Sequence, residues 1–462
     1  MKKCVLALFA AGAACAAMAD VPVVSNVTMT QAANRKVTIT YKLTGAPAVV
    51  TVDIQTNCVT DSGTVWASIG GPNIVGDGGR GCPQGDVFKR VMTDDTHTIT
   101  WRPDLSWPDH AIESPNARAV VTAWDLTSTP DYLVVDLVGS DAGKAAYYPS
   151  EDFLPGGLFG KTEYRMTKMV MRRIPAKDVT WTMGSEDAEP GRENNEGLHT
   201  VTLDHDYYLA VFPLTQAQWR NITGSTRTGT FATEGAMRPM ESRVCYYDLR
   251  ENSVGQTSGK TECRYPAAPY SGSVLGMLRK RTKDAGFEID FDLPGEAEWE
   301  FAARGGVGVG HWPNGKLITS DTEDPNYTGR NKFTGGYRKD GDNYVEHPDT
   351  VGPEGGTAIV GTAGDRNGFG IYDMCGNVTE LCLDYWKKDI SSFNGAIVTY
   401  ENTQGSGLVV EDGKSDYYHV WKGGNYTKGA KECRPAYRGV YLSSASNWKA
   451  NGARFACRAG LE

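Results

Sequence analysis

From about Thr162 to the C-terminus the sequence offers almost no stretch long enough to be a regular element. Two short helix signals stand in a glycine-rich background, and 54 of the 462 residues in the chain are glycine, against an average near ~7%. Thr215-Gln-Ala-Gln218 has the form of a capping box, in which the Thr hydroxyl meets an unsatisfied N–H and Gln218 reaches back. Gly224 is placed to end that helix. A second helix is predicted over about Glu296 to Arg304, where three glutamates favour the positive end of the helix dipole and Gly305-Gly306 close it. A region this poor in elements needs more than an apolar core. Disulfides and bound cations are the devices that hold such loops.

Residues 20–140 read differently. Val37, Ile39, Tyr41 and Leu43 alternate with Lys36, Thr38, Thr40 and Lys42, which gives one buried face at period two. Val50, Val52 and Ile54 repeat the pattern after the turn at Gly45-Ala-Pro47. Further strands are predicted at His97–Trp101, Ala119–Trp124 and Tyr132–Leu137. Short strands separated by turn signals argue for an immunoglobulin- or fibronectin-like sandwich. It carries no titratable cluster, so binding, spacing or anchoring is its expected role. Residues 141–164, with Gly, Pro and Ser, read as a linker to the loop-rich region at 165–462.

Residues 1–19 have the layout of a secretory signal peptide: Lys2 and Lys3, an apolar run from Val5 to Ala17, and Ala17-Met-Ala19 as a cleavage site. No segment is long and apolar enough to span a membrane. The mature chain is therefore expected to be exported, periplasmic or extracellular. The formal net charge is −9, and losing Lys2 and Lys3 makes it more negative. With only short, isolated basic patches such as Arg279-Lys-Arg281, nucleic acid is not an expected partner. Eight cysteines remain after Cys4 and Cys15, and an even number in an exported protein suggests disulfides. Cys58 and Cys82 would have to pair locally, while spacing alone does not pair Cys245, Cys263, Cys375, Cys382, Cys433 and Cys457. The histidines are scattered, with no pair at helical metal spacing, so zinc is not expected.

An ordered set of motifs runs through the loop-rich region. It comprises Thr182-Met-Gly-Ser185, Glu193 to His199 with Val201-Thr-Leu203, Leu214 to Trp219, Arg238-Pro239, and Leu293-Pro-Gly-Glu-Ala-Glu-Trp299. Tyr372-Asp-Met-Cys-Gly-Asn377, Gly423-Gly424, Cys433-Arg434 and Arg454 follow. In this order they resemble the formylglycine-generating enzyme (sulfatase-modifying factor) family. The resemblance implies an α+β, loop-rich fold related to C-type lectins. It also implies calcium, held by Asp373, the carbonyls of Gly376 and Val378, and Glu380, a set of hard oxygens that suits the ion. The bland reading of that loop is an ordinary polar turn. A second, weaker calcium set would be Asn326, Tyr327, Asp342 and Tyr344.

The catalytic positions depart from the family pattern. Active members are expected to hold copper on two cysteines, one four residues past the Gly-Gly pair and one five residues later. Cys433 stands at the second position and Lys428 at the first. Soft thiolates suit copper(I), whereas a lysine amine with a pKa of about 10.4 is protonated and repels it, so copper is not expected. Asn425 replaces the usual Ser and Thr379 the usual Trp. Cys433 is then either a surviving catalytic thiol or a half-cystine, and the resemblance implies Cys382 as its disulfide partner. Cys375, in the calcium loop, is the other thiol that could reach the site.

Two functions remain open from sequence. One is a binding protein that uses Asn425, Lys428, Arg434 and Arg438 to take a protein, peptide or anionic ligand, including a sulfatase-like partner. Against this stands the reading that Arg434, Arg438 and Arg454 only tie loops together. The other is an oxidase that converts a sulfatase cysteine to formylglycine, or performs another oxidation on the same fold. A structural role in an envelope or extracellular assembly would also suit the sandwich.

Overall fold

The computed structural model describes residues 21–458, apart from 61–62, 111, 113–114, 232–234, 243, 252–264, 307–335, 341–342, 348–355, 363–365, 400–417 and 443–449. The expected signal peptide, Cys263, and Asn326, Tyr327 and Asp342 of the second calcium set lie outside the described residues, as does the side chain of Tyr344.

The N-terminal region forms β1 (Val23–Gln31), β2 (Val37–Thr44), β3 (Ala48–Thr60), β4 (Gly63–Ser68), β5 (Gln84–Gly85), β6 (Lys89–Val91), β7 (Thr96–Trp101) and β8 (Ala117–Trp124), with period-two burial in β2 and β7. One antiparallel sheet runs β1-β2-β7-β5; the other runs β4-β3-β6, with β8 also paired to β3. Val37, Ile39, Tyr41 and Leu43 are wholly buried, as the alternation requires, and share a core with Val50, Val52 and Ile54 of the other sheet.

Two readings of the sequence are corrected at the boundary. The strand at Tyr132, β9 (Tyr132–Asp136), does not belong to the sandwich, and the predicted linker is not a linker. β10 (Ala145–Tyr148) pairs with β9, which pairs with β11 (Lys168–Ile174), and Phe153, Leu154 and Leu158 are buried. The chain continues through β12 (Val179–Met183), β13 (His199–Leu203) and β14 (Tyr207–Ala210). It ends with the hairpin β15 (Gly336–Asp340) and β16 (Asn343–His347), then β17 (Thr379–Tyr385), β18 (Ala396–Val398), β19 (Tyr418–Lys422), β20 (Gly439–Leu442), β21 (Asn451–Gly452) and β22 (Ala456–Arg458). The central sheet is β10-β9-β11-β14-β22; smaller sheets are β12-β13-β18 and β20-β19-β17-β21.

The central sheet is covered on both faces. Leu133 and Val135 pack with Met169, Met171 and Trp219 on one side. Tyr132 and Val134 pack with Ile39, Val52 and Val170 on the other. Burial on both sides explains why Tyr132–Val135 is an unbroken apolar run. Periodicity reveals such a strand but not its partners.

The two predicted helices form as read. Gln216–Thr223 starts on the Thr215–Gln218 capping box and ends at left-handed Gly224, and Glu296–Arg304 ends at left-handed Gly305. A third helix, Val274–Asp284, escaped the sequence reading. The hydroxyl of Ser273 accepts from the Gly276 N–H at 3.1 Å to cap it, and Val274, Leu275 and Leu278 enter the core. The supposed basic patch lies on this helix, where Arg281 donates to the carbonyls of Leu137 and Asn221, each at 2.7 Å. Among the described residues no helix is long and apolar enough to cross a membrane.

Candidate functional site

The helix Glu296–Arg304 is buried along its whole length, so its charges need counter-ions inside the protein. Glu300 accepts from Lys422 Nζ at 3.0 Å, Arg304 Nη2 at 2.7 Å and the Gly184 N–H at 3.0 Å. Burial pushes its carboxyl pKa up, but Lys422 and Arg304 outweigh that and hold it down at about 2. Glu298 accepts from the Gly295 N–H at 2.7 Å and meets His205 Nε2 at 2.7 Å, while His205 Nδ1 meets Asp204.

Burial alone would lower the His205 pKa, yet hydrogen bonds and charge from Glu298 and Asp204 raise it above its ordinary value. A raised pKa in the folded state stabilises fully below the unfolded value, about 6.5, and the gain is lost as pH rises through the folded value. Thermal melts of the protein are therefore expected to fall as pH rises across that window. The His205→Gln variant should show a flatter profile; an unchanged slope would remove His205 from the account.

Arg434 and Arg438 do not form a ligand pocket with Asn425 and Lys428, and that expectation is corrected. Arg434, fully buried, donates to Glu189 Oε1 at 2.7 Å, to Glu196 at 2.6 and 2.8 Å, and to the Gly191 carbonyl at 2.6 Å. Arg438 forks onto Glu296 at 2.6 and 2.9 Å and caps the carbonyls of Asn195 and Lys387. Both guanidinium groups are committed to loop-tying, for which their planar donor geometry suits them. The carboxylate partners lie 142 to 245 residues upstream, so no local pattern reveals them.

Arg454 behaves alike, and this bears on calcium. Glu380 Oε1 accepts from Arg454 at 2.7 and 3.1 Å, and Oε2 accepts from Arg454 at 2.9 Å and from Trp299 Nε1 at 2.6 Å. Both oxygens are saturated beside a fixed positive charge, so Glu380 does not fit a calcium ligand. Asp373 does. It sits at left-handed φ 59°, and its Oδ2 accepts from the Gly361 N–H at 2.6 Å. Its Oδ1 is buried and accepts no hydrogen bond from the protein, whereas buried polar groups are usually paired. Gly376 and Val378 adjoin it in sequence, and the Gly376 N–H is tied to the Gly423 carbonyl at 2.5 Å. Among the described residues, no group of three or more His, Cys, Asp or Glu side chains is arranged to hold a metal.

The family-departing residues find one another. Asn425 Nδ2 donates to Thr379 Oγ1 at 2.7 Å, and Asn425 Oδ1 accepts from the Thr427 N–H and hydroxyl at 2.9 and 2.7 Å. Lys428 keeps 35% of its side chain exposed and pairs with Glu432 at 3.7 Å. Cys433 is fully buried, with its sulfur against Gly424, where a Cβ would stand 2.5 Å away. The implied Cys382–Cys433 bridge is absent, and none of Cys82, Cys245, Cys375, Cys382, Cys433 and Cys457 is in a disulfide. Cys382 packs instead among Trp299, Ile371 and Val420. The thiol that reaches Cys433 is Cys375, whose Sγ lies 3.0 Å from the Cys433 carbonyl.

Comparison with known proteins follows the same line. The family described as "Sulfatase-modifying factor enzyme 1-like domain" matches residues 159–459. A formylglycine-generating enzyme of Mus musculus is 27% identical over 266 residues, covering 54% of this chain and 66% of that protein. A formylglycine-generating enzyme of Thermomonospora curvata is 39% identical over 101 residues, 21% of this chain and 28% of that protein. A Mus musculus protein named inactive C-alpha-formylglycine-generating enzyme 2 is 29% identical over 208 residues, 42% of this chain and 63% of that protein. The chain thus spans less than two thirds of the length of each.

Proposed function

Since this chain belongs to the sulfatase-modifying factor enzyme 1-like family and carries its α+β fold, we propose that it is an exported binding protein without formylglycine-generating oxidase activity. It takes a protein, peptide or anionic ligand, with a sulfatase-like protein as one partner of that kind. The observation that carries this reading is the rebuilt centre around Gly423-Gly424. An ammonium paired to Glu432 stands where a copper thiolate is expected, and the two other substituted positions satisfy each other through the Asn425–Thr379 hydrogen bond. With Arg434 and Arg438 committed internally, the ligand-facing groups reduce to the turn Tyr426-Thr427-Lys428, which is exposed or half-buried. The relative named as inactive gives this reading a precedent by name.

We further propose calcium at Asp373, whose Oδ1 supplies a hard, charged oxygen, with the carbonyls of Gly376 and Val378 as neutral donors. Glu380 has no part in it. One carboxylate makes a weak site, since affinity follows ligand charge.

A metal inventory on protein purified without reductant tests both parts. Copper(I), added anaerobically against a competing chelator, is expected not to be retained. Calcium is expected to raise the melting temperature, and Asp373→Asn to abolish that rise. One tightly held copper bound through Cys433, which the nearness of Cys375 makes the sharpest alternative, would restore the oxidase reading.

A further inference from the structure

Cys375 lies in a loop fastened to the turn Gly423–Tyr426, and Cys433 ends the short 3-10 helix Ala430–Cys433 that follows this turn. The Gly376 N–H donates to the Gly423 carbonyl at 2.5 Å, and the Tyr426 N–H donates to the Asn377 carbonyl at 3.2 Å. The Cys433 sulfur occupies the space that Gly424 leaves by lacking a Cβ. The Cys375 sulfur touches the Cys433 backbone at 3.0 Å. Ordinary covalent geometry then puts their Cα–Cα separation at no more than about 8 Å, an interval that contains the ~4.4–6.8 Å that a disulfide spans. Both residues are buried, so neither sulfur is placed to meet a cysteine of another chain once the protein is folded.

We propose that Cys375 and Cys433 form a disulfide as the protein folds in an oxidising compartment. The oxidant is a small-molecule or protein disulfide. One cysteine thiolate attacks it, breaking its S–S bond and releasing one thiolate. The second cysteine thiolate attacks the mixed disulfide and releases the other. The two protein protons end on the two departing thiols, and the two electrons reduce the oxidant. Closure precedes burial, which then seals the bond. The link staples the loop carrying Asp373 to the 3-10 helix that follows Lys428, and it removes both sulfurs from copper chemistry.

The test refolds the reduced, denatured full-length chain in a glutathione redox buffer. The product is quenched in acid, alkylated in denaturant, digested without reduction and mapped by mass spectrometry. The expected result is a Cys375–Cys433 linked peptide, still formed in Cys382→Ser and missing in Cys375→Ser. Protein refolded without oxidant should melt roughly 5 °C below the oxidised product, because the link closes a long loop. Full alkylation of Cys433 after oxidation, or its recovery linked to Cys382, overturns the proposal. The wild-type map decides the matter alone if Cys375→Ser does not fold.

Discussion

Replacing Glu380 with Gln is expected to destabilise the protein by about 3–5 kcal/mol, with calcium present or chelated. That range is the usual cost of removing one partner from a buried ion pair, because the other charge is left uncompensated. Glutamine keeps the shape and can still accept the Trp299 N–H. It removes the negative charge under Arg454, whose remaining acceptors are the carbonyls of Ala210 and Tyr372 at 2.8 and 2.7 Å. Urea unfolding of wild type and Glu380→Gln, each with calcium and with chelator, measures the effect. A calcium ligand would show its deficit mainly in calcium. An arginine anchor shows the same deficit in both. The first pattern would return Glu380 to the calcium site and undo the division of labour between it and Asp373.

The Arg454–Glu380 pair also shows what the sequence could and could not disclose. Local chemistry was legible: the Thr215 capping box, the glycine stops at 224 and 305, and the alternation at 37–43 all stand in the structure as read. Each depends only on neighbours within a few residues. Motif order was legible too, and it located the family. The partners of buried charges were not. Arg434, Arg438 and Arg454 could be seen as cations near a suspected site, but their carboxylates come from Glu189, Glu196, Glu296 and Glu380. The helix 274–284 was hidden for another reason. Its basic residues Arg279-Lys-Arg281 read as a patch, although Ser273 before Val274, Leu275 and Leu278 is a usable start signal. At the site, the departures at 379 and 425 were visible singly, and only the fold brings Thr379 to Asn425.

A chain shortened to residues 165–462, the loop-rich region marked off in the sequence, is expected not to fold. It keeps β11 but loses β9 and β10, so the central sheet loses two of its five strands and β11 becomes an unpaired edge. The loss on the core side is as serious. Leu133, Val135, Ala145 and Tyr147 leave the cluster that also holds Met169, Met171 and Trp219, and burying each of the larger of these side chains contributes about 1.5–3 kcal/mol. The opposite face fares no better, since Val170, Val211, Phe212 and Tyr372 pack into the core supplied by the N-terminal sheets. Summed over these positions the loss is as large as the ~5–15 kcal/mol by which domains are usually stable. Soluble yield and the presence of a cooperative thermal transition are the measurements. A shortened chain that melts cooperatively near the full-length temperature would mean that the N-terminal sheets are a separable module, and that the shared core contributes little to the stability of the family domain.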